Sequence, residues 1–247
     1  MSTRAGAPPM YRQALLDLGG SQKTSKGAPA YSRYVNRRLG RYLAAAAYAR
    51  GMTPNQVTFL SAVCTFSAIL LLALHTPELW TGLVIAVLLA LGYALDSADG
   101  QLARLTGTGS PAGEWLDHVV DAVKIATLHV AVLLCWWQHY DVGDLWLLVP
   151  LLFQSVVTVQ FFAMILTDQL RRGRRRDHGT LLQGDGNSSP LYALTVLPTD
   201  FGLMCLLFVL LWLPPAFITV YTLLALANTA FLVLALGKWY REVRAWN

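Results

Sequence analysis

Residues Thr81 to Gln138 read TGLVIAVLLALGYALDSADGQLARLTGTGSPAGEWLDHVVDAVKIATLHVAVLLCWWQ. Every Asp, Glu, Lys and Arg in this stretch falls between Asp96 and Lys124. On either side lie apolar runs, roughly 81–97 and 115–138. A helix rises about 1.5 Å per residue, so runs of this length approach the ~30 Å needed to cross a hydrocarbon layer. The stretch therefore reads as two neighbouring antiparallel membrane helices, with acidic side chains gathered at the end where they are joined.

The rest of the chain agrees with this reading. Of 247 residues, 55% are hydrophobic and 13% charged, where a soluble domain carries about 25% charged residues. Further apolar spans lie near 57–75, 145–167, 200–213 and 215–237. The predicted fold class is all-α and integral to the membrane, with six transmembrane helices. The span at 200–213 is short if it begins at Asp200. Either it starts near Leu191 and contains Pro198, or the bilayer accommodates it. The first long apolar segment begins near Val57, so no cleavable signal peptide is expected.

Basic residues set the orientation. The segment before the first span, the 98–114 and 168–199 loops and the C-terminal tail hold every Lys and Arg except Lys124, which sits just inside the third span from the same side. The opposite connections hold none. Both termini are predicted to be cytoplasmic, and in a bacterial cell the membrane would be the plasma membrane.

Residues 1–29, rich in Gly, Ser, Ala and Lys, are expected to form a flexible arm. Residues 30–51 follow as a juxtamembrane helix. Tyr31, Tyr34, Val35, Leu39, Tyr42 and Leu43 recur at helical spacing, with Arg33, Arg37 and Arg41 largely on another side. This pattern fits an amphipathic helix on the membrane surface, or an ordinary solvated basic helix. The six-helix catalytic domain is assigned to 52–247. Its first helix opens on Thr53-Pro54-Asn55-Gln56, an N-cap, a first-turn proline and a capping-box glutamine.

The chemistry concentrates in the polar middle of the opening stretch. Asp96 and Asp99 are three apart and share a helix face, with Gly100 and Ala103 continuing the stripe. Asp117 and Asp121 are four apart, with Gly113 one turn earlier. Like charges about 4 Å apart repel by roughly 4 kcal/mol at an effective dielectric of 20, so the four carboxylates need partners. All-oxygen donors suit hard divalent cations such as Mg²⁺ or Mn²⁺, and pairs of these serve phosphoryl chemistry. Protonation would also relieve the repulsion, as in an ion-coupled carrier. The carrier reading predicts carboxylates at mid-bilayer and an inverted repeat; here they lie near one face and no such repeat is evident.

The pattern D-x-x-D-G-x-x-A-R, eight residues, G-x-x-x-D-x-x-x-D resembles the signature of the CDP-alcohol phosphatidyltransferases. All eight signature positions are filled, a coincidence on the order of one in a billion per start position. The six-helix layout, the preceding amphipathic helix and Thr53-Pro54-Asn55-x-x-Thr58 are similar to the family too. The resemblance implies that Asp96, Asp99, Asp117 and Asp121 coordinate two Mg²⁺ or Mn²⁺ ions holding the donor diphosphate. Asp121 would also be the general base on the acceptor hydroxyl. Asn55, Thr58, Gly100, Ala103, Arg104 and Gly113 would bind the CDP part. The implied reaction moves a phosphatidyl group from CDP-diacylglycerol to a small polar alcohol and releases CMP, in a homodimer among membrane lipids. The same signature also serves the inverse, a CDP-linked small alcohol donating to a lipid hydroxyl. A scaffold that keeps the fold without activity would be expected to have lost some signature positions.

Other residues carry two readings each. Arg171, Arg172 and Arg174, in a run with Arg175 and Arg176, suit the phosphate of an acceptor or act as a topology signal drawn to anionic lipid. Nucleic acid is not expected there, since the run adjoins a span and lacks interleaved aromatics. Lys124 counters the carboxylates and touches substrate, or snorkels to the interface. His118 points off the aspartate face and reads as structural. Asp168 and Asp200 read as helix caps or acceptor contacts, and Asp177 and His178 as solvated. Trp80, Trp136, Trp137, Tyr140 and Trp146 fit an interfacial belt. Cys64, Cys135 and Cys205 lie far apart in apolar runs and read as packing residues.

Overall fold

The computed structural model of the chain describes residues 10–20, 29–178 and 197–246. Among these residues the fold is helical throughout, without strands. Helix α1 is Met10–Gly20. Helix α2, Arg37–Ala49, is entered through a wide π-type turn, Ser32–Asn36. Then come α3 (Pro54–Leu74), α4 (Leu79–Thr106), α5 (Pro111–His139), α6 (Leu148–His178), α7 (Phe201–Leu207) and α8 (Pro214–Arg244).

Five stretches are long and apolar enough to cross a membrane: Pro54–Leu74, Leu79–Thr106, Pro111–His139, Asp144–Arg174 and Pro214–Arg244. They match the expected spans but extend beyond the apolar runs, because polar residues stay helical once a helix leaves the hydrocarbon. The span expected at 200–213 differs. It holds a helical segment of 10 residues, Phe201–Leu210, about half the length a crossing needs. The alternative start near Leu191 lies outside the described residues, as do the side chains of Asp177 and His178.

The N-terminal region also departs from the expected arm. Met10–Gly20 is helical, with Ala14 and Leu18 buried in a cluster shared with α2 and α4, because these two residues and Leu15 recur at helical spacing. Helix α2 turns Gly40, Ala44, Ala45 and Ala47 to the protein and leaves Leu39 and Tyr42 exposed, as are Tyr34 and Val35 of the turn before it. Small residues on the inner face let it lie close against α4, and the large apolar ones face away.

Helices α3, α4 and α5 form the centre of the bundle. A Cβ added to Gly92 would sit 2.3 Å from Thr65 Oγ1, so only glycine allows α4 to approach α3 this closely. Ser61 Oγ closes the contact by donating to the Gly92 carbonyl at 2.8 Å. The expected capping box opens α3: Thr53 Oγ1 accepts from Gln56 N–H at 3.3 Å, and Gln56 Oε1 from Thr53 N–H at 2.9 Å. The turn from α4 to α5 uses Gly107 at φ +66°, a left-handed C-cap, followed by Ser110 accepting from Gly113 N–H at 3.1 Å.

Two cores hold the bundle. At the end away from the acidic stretch, Trp136, Phe208, Phe217 and Tyr221 are fully buried, with the Trp136 and Tyr221 rings 5.3 Å apart. Trp136 and Tyr140 thus belong to the core rather than to an interfacial belt, since Tyr140 turns inward to donate to the Leu211 carbonyl. Trp80, Trp137 and Trp146 are exposed as expected. Cys135 and Cys205 are buried, and all three cysteines are free. The second core lies behind the acidic stretch, where Leu95, Ala98 and Leu102 of α4 meet Ala44, Ala45 and Val57.

Candidate active site

The α4–α5 hairpin carries Asp96 and Asp99 on one helix and Asp117 and Asp121 on the next. Asp99 is buried, and Thr58 of α3 donates to its Oδ2 at 2.5 Å. Asp121 is ion-paired with Lys124, one turn further along α5. The Lys124 ammonium also lies 5.1 Å from the centre of the Phe201 ring. Asp117 is 3.8 Å from His118 Nδ1.

The carboxylates separate two cavities. An outer cavity of about 720 Å³ opens where α3, α4 and α5 meet. Asn55, Thr58, Gly100, Ala103, Arg104 and Gly113 all line it, together with Asp99 and Asp117. Its floor is small side chains and backbone: a Cβ built on Gly113 would meet Asn55 Oδ1 and Ser110 Oγ at 3.4 Å. An inner cavity of about 440 Å³ lies between α4, α5, α6 and α8 and the segment from Pro198 to Met204. Asp96, Asp121 and Lys124 stand at it, and its wall is largely Phe153, Phe161, Met164, Met204 and Phe231.

The residues fit a hard divalent cation. Ligand atoms of Asp117, His118 and Asp121 lie within 4.8 Å of one another, a group that does not include Asp96 or Asp99, and carboxylate oxygens are the donors such an ion prefers. His118, read from the sequence as structural, stands 3.8 Å from both Glu114 and Asp117. The buried His118 Nδ1 has no hydrogen-bond partner.

The arginines divide. Arg171 binds both oxygens of Glu242 on α8 at 2.7 Å and Asp168 at 2.7 Å. Arg174 donates to the Trp246 carbonyl at 2.8 Å and stacks on that ring. Both fasten α6 to the end of α8. Among the described side chains of the run, Arg172 alone reaches a cavity, the outer one, where it pairs with Glu114 of α5. Asp200 is a cap twice over, since its carboxylate accepts from Gly202 N–H at 3.0 Å and from Ser32 N–H at 2.8 Å. It binds the start of α7 to the start of the juxtamembrane helix.

A helical membrane-type bundle with an acidic partition between two cavities defines a class, and comparison with known proteins gives its family. The CDP-alcohol phosphatidyltransferase family model matches residues 51–237. The chain belongs to that family. It is 34% identical over 111 residues to an archaetidylinositol phosphate synthase of Pyrococcus horikoshii, covering 45% of this chain and 54% of that protein. It is 37% identical over 90 residues to a phosphatidylinositol phosphate synthase of Corynebacterium glutamicum, covering 36% and 38%. A cholinephosphotransferase of Xenopus laevis is 30% identical over 88 residues, covering 33% and 22%. The matches span between about a fifth and a half of these relatives' own length. The crystal structure of Mycobacterium tuberculosis phosphatidylinositol phosphate synthase with CDP-DAG bound has the same fold, with a TM-score of 0.52 and 21% identity, covering 83% of this chain and 94% of that one.

Proposed function

We propose that this chain transfers a phosphatidyl group from CDP-diacylglycerol to the hydroxyl of an alcohol, releasing CMP. The observation that carries the reading is the partition: all six residues assigned to the nucleotide line one cavity, and Asp121 faces the other. The donor's CDP lies in the outer cavity, its phosphates near Arg104 and the end of α4. The acceptor hydroxyl approaches from the inner cavity. Asp96, Asp99, Asp117 and Asp121 would hold Mg²⁺ or Mn²⁺, which supplies charge neutralisation for the diphosphate and the leaving CMP. Thr58 fixes the Asp99 carboxylate. Asp121 takes the proton from the acceptor hydroxyl as its oxygen attacks the lipid-side phosphorus. Lys124, paired with Asp121, orients that carboxylate.

The apolar wall of the inner cavity favours a second arrangement as well, a CDP-linked small alcohol donating to a lipid acceptor. The partition serves both, since it separates nucleotide from hydroxyl.

In the membrane we place six crossings, the short Phe201–Leu210 segment belonging to the fifth. Both termini and the carboxylates face the cytoplasm, α2 lies on the surface through Tyr34, Leu39 and Tyr42, and the protein works as a homodimer. The distribution of Lys and Arg supports the orientation, and the resemblance to the family supports the dimer.

Purified protein given radiolabelled CDP-diacylglycerol, a panel of alcohols and either Mn²⁺ or a chelator tests the reaction. CMP release that requires both ion and acceptor is expected. No release from any CDP-linked donor would remove the enzyme reading.

A further inference from the structure

The inner cavity constrains its occupant more tightly than the reaction class does. An acceptor bearing a phosphate needs cationic partners, because moving its charges out of water is costly without them. Among the described residues the cavity is lined by one cation, Lys124, and that ammonium is paired with Asp121. In the arginine run, the described side chains are engaged elsewhere, Arg171 and Arg174 with the end of α8 and Arg172 in the outer cavity. The residues 179–196 contain no Lys or Arg. A third carboxylate, Asp200, also lines the cavity, its charge satisfied by two backbone N–H groups. The divalent ions proposed for the partition are matched by its four carboxylates, so the donor's own phosphates and Asp200 leave no spare positive charge in the described lining for a second anion.

The polar groups that remain suit hydroxyls. Gln160 lines the cavity, and its Oε1 is buried without a hydrogen-bond partner. A buried acceptor left unmatched costs about 1–3 kcal/mol, which a ligand O–H would recover. Around it stand Phe153, Phe161, Met164 and Phe231, surfaces that favour hydrocarbon over a hydrated anion.

We infer that the acceptor is an uncharged alcohol, not an alcohol phosphate, seated in the inner cavity with one hydroxyl at Asp121, another within reach of Gln160 and its apolar surface on the phenylalanine wall. This rests on the proposed transfer reaction and narrows its acceptor class in either donor arrangement.

The test pairs acceptors that differ only in a phosphate and both keep a free hydroxyl: inositol with inositol 1-phosphate, glycerol with glycerol 3-phosphate, and monoacylglycerol with lysophosphatidic acid. Each is offered to the purified protein with Mn²⁺ and two donors, CDP-diacylglycerol and CDP-choline, and CMP release is measured. Turnover at least tenfold faster with the uncharged member of a pair is expected. Equal or faster turnover with the phosphorylated member overturns the inference and leaves the transfer reaction standing. If no pair supports release, the reaction itself has failed. Calorimetry of inositol 1-phosphate into protein saturated with CMP and Mn²⁺ then decides the point: millimolar or weaker binding supports an uncharged site, and micromolar binding refutes it. Gln160→Arg, which places a cation in the cavity, is expected to improve use of the phosphorylated member relative to wild type. A well-folded variant with unchanged preference would count against the assigned position.

Discussion

The outer and inner cavities share a wall of carboxylates but are built differently. The outer one is made from consecutive turns of α4 and α5 and the start of α3, and small residues and backbone supply its surface. The inner one draws on α4, α5, α6, α8 and the segment ahead of α7, and large side chains supply its surface. A nucleotide is the same in every member of a family, so its cleft can be written as one local motif. An acceptor varies, and its pocket is set by residues far apart in the chain. Under the proposed function donor and acceptor meet separate walls, and substitutions on each should act separately.

The largest effect is expected at the partition itself. Asp121→Asn removes the proposed base and a metal-binding oxygen while keeping the shape of the side chain. Turnover should fall by about 10³-fold or more, given that a positioned base contributes about 10²–10⁴. Chelation of divalent ions should have a comparable effect. CMP release, with a melting curve to establish that the variant is folded, measures both. An Asp121→Asn protein with full activity would break the partition as a catalytic device.

A smaller pair of effects should separate the walls. Gly113→Val puts two methyl groups into the outer cavity from a position whose Cβ already meets Asn55 and Ser110. The donor KM should rise about tenfold or more, a loss of about 1.4 kcal/mol in binding, with the acceptor KM unchanged. Phe161→Ala removes an aromatic surface from the inner wall. Burial of such a side chain is worth about 1.5–3 kcal/mol, and Phe161 is only half-buried, so the acceptor KM should rise about tenfold at constant donor KM. If either substitution moved both constants equally, the two cavities would have to be treated as one.

This division also explains what the sequence made legible. The acidic hairpin and the capping box at Thr53 follow from local spacing, and the six residues of the nucleotide cleft, on three helices, follow from two short motifs and the resemblance that joins them. The inner cavity was invisible for the converse reason: Tyr93, Gln160 and Asn228 line it from three helices, and no local pattern joins them. The buried pair His129 and Tyr221, joined at 2.7 Å, shows the same limit. Helix α1 was hidden because its stretch is only 11 residues long, and its burial depends on the alanines of α2. The double role of Asp200 was half legible, since the cap on Gly202 is local and the bond to Ser32 is not.

The smallest effect tests where the inner wall ends. Arg171 was a candidate for an acceptor phosphate, and in the folded chain it binds Glu242 and Asp168 while staying outside both cavities. Its side chain is 31% exposed, so the network is partly screened by solvent and worth about 1 kcal/mol. Arg171→Ala should therefore lower the melting temperature by about 3 °C, using the scale for domains of this size, and leave the KM of donor and acceptor alike within twofold. Glu242→Ala should reproduce the loss, and the double variant should lose less than the sum, because the same contact is removed twice. A several-fold rise in acceptor KM at unchanged melting temperature would instead put the arginine run against the substrate. The inner cavity would then possess a cation besides the paired Lys124, and an uncharged acceptor would no longer follow from its charge.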